Sequence, residues 1–501
     1  MPSPDSTLGS VAADPPPPPP PVPETRENTR GERIALAAGG AAENAFQNAL
    51  LSLSNPIFNI GMHVSPVMIG VAMAIPRFWE MVLDPWIGIR SDRTTSRWGK
   101  RVPCLVVSCF ACMALFAAVW WVPQGWGAWS KGCWLIAFSF LFYTAYSFFA
   151  VPYAALTIDE TREGPDRVRV MTTRVAFANI SGLCLNWLYW LCQRDVFGSP
   201  VLGIRWVGLG FGIVVGLSGL LPVWMALRKL RARPACGVPA PGVTCAPAAA
   251  AATAAAATAA TTAVTAAATR KSAGPGVFLR LLRLSSVRCL IVALMSILFG
   301  FSLVGHLGFY LIAYHACGGD LKQTGLVTGV SATVTTLLGI GICPVFSGMA
   351  QRIGKRPTLM LALATGTLAS LSKWWLITPA NPYLSIICAS GISIGLTGFL
   401  SLMPSFLGEV SDDWTARTGE GCSGTLSALY GVAVKVGASL ALMVTGYVLV
   451  GCGFRSEMQV SEMAAPIRNM RILYALIPAL AGGVAMIAMS CFRLETPGGD
   501  A

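Results

Sequence analysis

Apolar runs of about 20 residues, each long enough to cross roughly 30 Å of hydrocarbon, recur along nearly the whole chain. A bilayer core offers no water to free backbone groups, so a crossing segment must satisfy its own N–H and C=O groups. Segments this long and without strict alternation do so as helices, not barrel strands. The recurrence also separates the chain from a secreted soluble protein, in which one such run stands near the start. Composition agrees. Of 501 residues, 54% are apolar and 12% charged, about half the charged share of an ordinary soluble domain.

The spans read as 34–59, 65–89, 103–123, 131–157, 173–195 and 204–227, then 286–314, 323–350, 357–378, 382–407, 423–450 and 470–492. An all-α membrane protein with twelve transmembrane helices is the expected fold. A net charge of +13 would suit nucleic acid, but Lys and Arg concentrate in the N-terminal tail, alternate loops and the C-terminal end. The positive-inside rule then places both termini in the cytoplasm. No folded soluble domain is left to present a basic surface, so nucleic acid is not an expected partner. The fifteen cysteines read as small apolar packing residues without Cys/His ligand spacing. Only Cys317 and Cys452, near the outer ends of two helices, invite a disulfide reading.

Residues 1–33 carry the proline run Pro15 to Pro21 and read as a disordered cytoplasmic tail. A second low-complexity stretch of Ala and Thr, from about Pro234 to Ser272, falls at the midpoint and reads as a cytoplasmic linker over 228–285. It divides an N-terminal six-helix bundle, 34–227, from a C-terminal one, 286–493, with 494–501 as a tail. The halves share a signature: Trp98-Gly99-Lys100-Arg101-Val102-Pro103 follows the second helix and Ile353-Gly354-Lys355-Arg356-Pro357 follows the eighth. Two related halves are the architecture in which substrate sits at the midplane and access alternates by rocking.

The most specific string is Asp84-Pro85-Trp86-Ile87-Gly88, continuing through Asp92-Arg93-Thr94 to Arg97, Arg101 and Pro103. Gly88 would allow close helix approach, Asp92 could accept from helix ends or Arg side chains of the other bundle, and Arg93, Arg97 and Arg101 would anchor at the inner leaflet. Such a loop can latch one conformation. With Arg77 upstream, the turn Val151-Pro152-Tyr153, Arg174 and Val434-Lys435-Val436-Gly437, the chain resembles the glycoside-pentoside-hexuronide:cation symporter family over about residues 34–493. The resemblance implies the major facilitator fold and cation-coupled sugar transport in a cell membrane, with a bacterial inner membrane as the setting. The transporter would act as a monomer, with no cofactor beyond a coupling ion, H⁺ or Na⁺.

Arg77, Glu80 and Asp84 fall at i, i+3 and i+7, on one face of the second helix. Ionisable groups at that depth are tolerated when they face the bundle interior, pair, and bind or exchange a cation. The plain alternative is an Arg77–Glu80 salt bridge with Asp84 capping the loop. The resemblance places the cation between the two acids, a polar residue directly before the Asp-Pro and a hydroxyl on the fourth helix, which Ser147 supplies. Glu80 and Asp84 would then be metal ligands if the ion is Na⁺. Here Leu83 replaces the polar ligand, which weakens a sodium site more than protonation and tilts the expectation towards H⁺.

Asn44 aligns by the same resemblance with a sugar-gripping acid, though a helix–helix hydrogen bond is an equal alternative for it and for Glu43. Arg77, Tyr146, Arg174 and Lys435 complete the expected substrate contacts, with Arg174 and Lys435 either meeting substrate oxygens or balancing the acids of the second helix. Ala150 and Ala154 stand where galactoside carriers of the family use an acid and an aromatic, so a sugar acid such as a hexuronide fits better than a galactoside. A lysolipid or other amphiphile, or a receptor-like role without transport, are the alternatives. Lys373 reads as a residue snorkelling to the outer interface, and Glu409, Asp412 and Asp413 as the end of the tenth helix. No P-loop string is present and no nucleophile–base pair is in reach, so neither ATP drive nor an enzyme is expected.

Overall fold

Thr29 caps the first helix. Its hydroxyl accepts from the Glu32 amide while the Glu32 carboxylate accepts from the Thr29 amide, a reciprocal capping box that starts helix α1 at Arg30, four residues ahead of the hydropathy edge. The computed structural model describes residues 28–94, 96–161, 165–232, 280–419, 422–454, 458 and 462–493. Nearly all of the expected tail 1–33, most of the linker 228–285 and the tail 494–501 lie outside the described residues.

Among the described residues there are twelve long helices: α1 (Arg30–Ser54), α2 (Pro66–Arg93), α3 (Val102–Trp120), α4 (Ala128–Asp159), α5 (Pro165–Cys192), α6 (Pro200–Ala232), α7 (Ser285–Tyr310), α8 (Leu321–Ile353), α9 (Lys355–Leu376), α10 (Ser385–Thr418), α11 (Ser423–Gly451) and α12 (Ala464–Ser490). Ten are long and apolar enough to cross a membrane; α1 and α9 are less apolar. α1 and α7 each run on into a π-helical turn, Asn55–Gly61 and Leu311–Ala316.

The largest boundary differences lie at α5, which starts eight residues before the expected 173, and α10, which ends eleven residues after the expected 407. In both cases the helix outlasts the hydrocarbon because its backbone bonds do not depend on apolar side chains. The acids expected to end the tenth helix are therefore inside it. Glu409 binds Lys355 at 2.6 Å, Asp413 binds Arg417 one turn on at 3.0 Å, and Gly419, at φ +69°, makes the stop.

Packing divides at the linker. One core cluster is built from Ala35 to Ala226 with Leu442 as its one member from the second half, and three others are built from 281–492. Pairings repeat between the halves: α1 with α5 as α7 with α11, α3 with α6 as α9 with α12. The shared signature has a backbone counterpart, since Gly99 and Gly354 both take a left-handed conformation, φ +97° and +93°, which L side chains adopt at a cost. Each half also pins the start of its third helix to its fourth, through Arg101–Asp159 at 2.6 Å and Lys355–Glu409. Cys109 and Cys112, a Cys-x-x-Cys pair within α3, are buried and free, as are Cys317 and Cys452.

The halves meet along α2–α11 and α5–α8, a two-fold exchange of equivalent helices. Most described contacts across this seam lie at the end remote from the basic loops. Tyr310 donates to Asn59 at 2.9 Å and Trp187 to Thr333 at 3.0 Å. A Cβ on Gly446 would stand 2.6 Å from the Pro66 carbonyl oxygen, and one on Gly70 2.7 Å from that of Leu442, so backbone packs directly on backbone. Lys322 also reaches Asp195 here and holds its carboxyl below the usual range by hydrogen bonding and charge, although an exposed pair of this kind contributes little. Gly446→Val is expected to wedge the seam, shifting the conformational equilibrium by roughly tenfold or more. Increased labelling of an Asn55→Cys variant by an impermeant maleimide from that side would register it; unchanged labelling would mean the contact does not hold the seam.

Candidate functional site

Ala37 to Ala42 are all small, and the smallness has a use. A Cβ at Gly40 would fall 2.7 Å from the Arg174 carbonyl oxygen, so α1 lies directly on α5 and Arg174 is carried alongside Glu43. The guanidinium grips that carboxylate through Nε at 3.0 Å and Nη2 at 2.6 Å, and stacks 4.7 Å from the Tyr153 ring centroid. Arg174, expected to meet substrate oxygens or to balance the acids of the second helix, is paired here with Glu43 of α1. Asn44, one residue on, has its side-chain oxygen facing Gly182 of α5.

One face of α2 carries the second set of charges. Arg77 meets Glu80 at 3.4 Å, donates to the Gln47 carbonyl at 2.9 Å and lies 4.6 Å from the Tyr143 ring centroid; Tyr146 stands edge-on to Tyr143 at 6.4 Å. From the other half, Lys435 of α11 hydrogen-bonds Asp84 and approaches Glu80 at 3.8 Å. Glu80 is buried, and Glu80 Oε1 and Asp84 Oδ1 have no hydrogen-bond partner among the described residues. An ammonium group of one half therefore occupies two carboxylates of the other and leaves each with one unused oxygen. Ser147 is buried in α4, but no hydrogen bond joins it to either acid among the described residues. Leu83 is buried too.

The loop after α2 departs from its expected geometry at one point. Gly88 makes no close approach, since a Cβ there would meet only Val151 at 3.9 Å. Arg101 holds Asp159 and Ser91 at 3.3 Å, within the N-terminal half. Arg97 covers Trp98 at 5.5 Å and Arg93 is exposed. The side chain of Asp92 lies outside the described residues.

Between the halves, beneath the sealed end, is a cavity of about 430 Å³. Its wall includes Ser52 and Asn55 from the α1 side, Ser302 and Phe309 from α7, and Tyr474 from α12. It is uncharged. Trp187 and Trp190 close the α5–α8 seam over Gly329 and Gly325. Lys373 departs from expectation as well. It does not snorkel: it is buried, its Nζ lies 3.8 Å from the Tyr474 ring centroid and 3.4 Å from the Tyr474 carbonyl oxygen.

A family model described as MFS/sugar transport protein matches residues 36–496. Over 476 residues, 93% of this chain and 92% of the other, the chain is 23% identical to the uncharacterized symporter YnaJ of Bacillus subtilis (strain 168). It is 21% identical over 440 residues to a glucuronide carrier protein homolog of Escherichia coli (strain K12), covering 86% and 84% of the two chains. Over a shorter 177 residues, 33% of this chain and 32% of the other, it is 28% identical to sodium-dependent lysophosphatidylcholine symporter 1-A of Danio rerio. Its fold is similar to the inward-facing, unoccupied structure of a bacterial homolog of the human lysosomal transporter Spinster, with a TM-score of 0.63, 13% identity and coverage of 93% and 98%.

Proposed function

Because the chain belongs to the MFS/sugar transport protein family, and is thus a multi-pass membrane transporter and not an enzyme, we propose that it drives uptake of a sugar, glycoside or sugar acid by symport with a cation. In this reading all twelve helices cross a cell membrane as two bundles, 34–227 and 286–493, with both termini cytoplasmic. The basic end is then the inner one, the seam is closed outside, and the cavity faces inward.

The observation that carries the reading is the bridge from Lys435 to Asp84 and Glu80. The protein's own cation sits where a transported cation would have to bind. An ion arriving at the carboxylates withdraws their charge from Lys435, so ion occupancy and the α2–α11 contact are linked free energies, which is what coupling requires. A proton suits the acids better than Na⁺. Leu83 brings no oxygen and Ser147 makes no bond to them, so the pair falls short of the oxygen shell a hard cation takes. Gly88, Asp92, Arg93, Arg97 and Arg101 remain the proposed latch at the cytoplasmic face, and the glycoside-pentoside-hexuronide branch the proposed place within the family.

Uptake into vesicles across glycosides, pentosides and uronates, with Na⁺ and pH gradients imposed separately, tests this. Accumulation of a sugar or uronate under an inward proton gradient is the expected outcome. Accumulation that needs Na⁺ and ignores pH would overturn the proton assignment and leave symport standing, and no accumulation under either gradient would overturn symport. An amphiphilic cargo is the second reading, favoured by the apolar Leu83, Ala150 and Ala154; inhibition by a lysolipid and not by any sugar would select it.

A further inference from the structure

The intramembrane cations described above have one thing in common except for one of them. Arg77 meets Glu80, Arg174 meets Glu43, and Lys435 meets Asp84 and Glu80. Lys373 has no acidic partner among the described residues. A buried ammonium without a counter-charge is costly in a membrane, and its hydrogen bond and its ring contact are both with Tyr474, at the carbonyl oxygen and the ring face, with the Cys388 thiol of α10 as a further group near it.

Tyr474 is the residue between that charge and the cavity. It contributes to the cavity wall, and its hydroxyl has no hydrogen-bond partner among the described residues. The hydroxyl lies against α7 at Gly308, where a Cβ would come within 2.6 Å of it, so the absence of a side chain there makes room for the phenol. A cation held at a ring face draws on the ring's electron density, which makes the phenolic O–H a stronger donor. Such a donor discriminates in favour of charged oxygen, since hydrogen bonds to ionised acceptors are the stronger ones.

We propose that Tyr474, with Lys373 as its positioning residue, forms the anion-recognising wall of the cavity and takes the carboxylate of a sugar acid. The inference rests on the transport reading above and adds the substrate class to it. Arg174 and Lys435, the basic residues otherwise expected to meet an acidic sugar, already have carboxylate partners. The field of Lys373 is the one left uncompensated beside the cavity. An arriving carboxylate supplies the missing counter-charge, whereas a neutral sugar supplies only hydroxyls.

The test compares methyl β-D-glucuronide with methyl β-D-glucoside in counterflow by the full chain in vesicles. Tyr474→Phe is expected to weaken glucuronide affinity about tenfold or more and to change glucoside affinity less than about twofold, with the maximal exchange rate kept. Lys373→Met should reproduce that loss and Lys373→Arg should largely spare it. The double variant should be little worse than either single change, because the two residues act through one hydroxyl. Gly308→Ala, which displaces the phenol without touching its chemistry, gives a second route to the same loss if Lys373→Met fails to fold. Equal weakening of both sugars in these variants would mark a structural role and overturn the proposal. So would wild-type exchange of neither probe alongside gradient-driven uptake of some other cargo, an outcome that leaves transport itself intact. Absence of any driven uptake would remove the transport reading first.

Discussion

Replacing Asp84 with Asn is expected to abolish gradient-driven accumulation while sparing exchange of substrate down its own gradient. The amide keeps the shape of the side chain and part of its hydrogen bonding to Lys435, but it can neither carry the charge nor take a proton. Without that charge the ion has no reason to favour one arrangement of α2 and α11 over the other, so binding energy no longer passes between ion and cargo. The structural cost is separable. Breaking a fully buried pair costs about 3–5 kcal/mol, and less here, because Asp84 and Lys435 are 27% and 32% exposed. Removing both charges, Asp84→Asn with Lys435→Met, should therefore recover folded yield but not accumulation. Concentrative uptake by Asp84→Asn at the wild-type level would sink the coupling assignment.

Glu43→Gln is expected to have the largest effect on stability. Arg174 is 17% exposed and Glu43 25%, and the guanidinium makes its bidentate contact in the α1–α5 interface. Loss of the carboxylate leaves a largely buried cation whose remaining described contacts are the Tyr153 ring, the Thr157 hydroxyl and the Met171 sulfur. A cost of roughly 3 kcal/mol follows, enough to lower the thermal midpoint of the detergent-purified protein by several degrees. Glu43→Gln with Arg174→Met should restore most of it, since removing both partners costs far less than removing one. If Glu43→Gln instead leaves the midpoint alone and raises only the KM for substrate, the pair is a ligand contact and its structural role is refuted.

The hydropathy pattern found each long helix among the described residues because apolar runs carry a length, and it misplaced ends where the apolar run stops. The start of α5 around Asp166 and Arg167 and the end of α10 at Arg417 and Thr418 lie in charged, polar stretches that read as loop. The Thr29 capping box is legible from its Thr-x-x-Glu spacing, but the neighbouring proline-rich segment masks it in a hydropathy reading. The face shared by Arg77, Glu80 and Asp84 could be read from spacing alone, because all three belong to one helix. Their partner Lys435 is 351 positions from Asp84, and Glu43 is 131 from Arg174. No local period encodes such pairs; the hint was only that lone charges of opposite sign occur inside apolar spans. Lys373 misled for a related reason. Its position late in α9 suggests an interface, but the residue that covers it, Tyr474, comes from a helix about a hundred residues away.

The charges at the α2–α11 crossing also bear on how the membrane potential enters the cycle. Arg77 and Lys435 against Glu80 and Asp84 sum to zero, as do Arg174 and Glu43. An ion-free carrier that returns its site across the membrane with these groups therefore transfers no net charge in them, and voltage does not act on that step through them. Binding one monovalent cation at the acids leaves one uncompensated charge, on which the field does about 2.3 kcal/mol of work per 100 mV when it crosses the full potential. The pairing that lets the helices meet would thus confine the electrical driving force to the loaded half of the cycle.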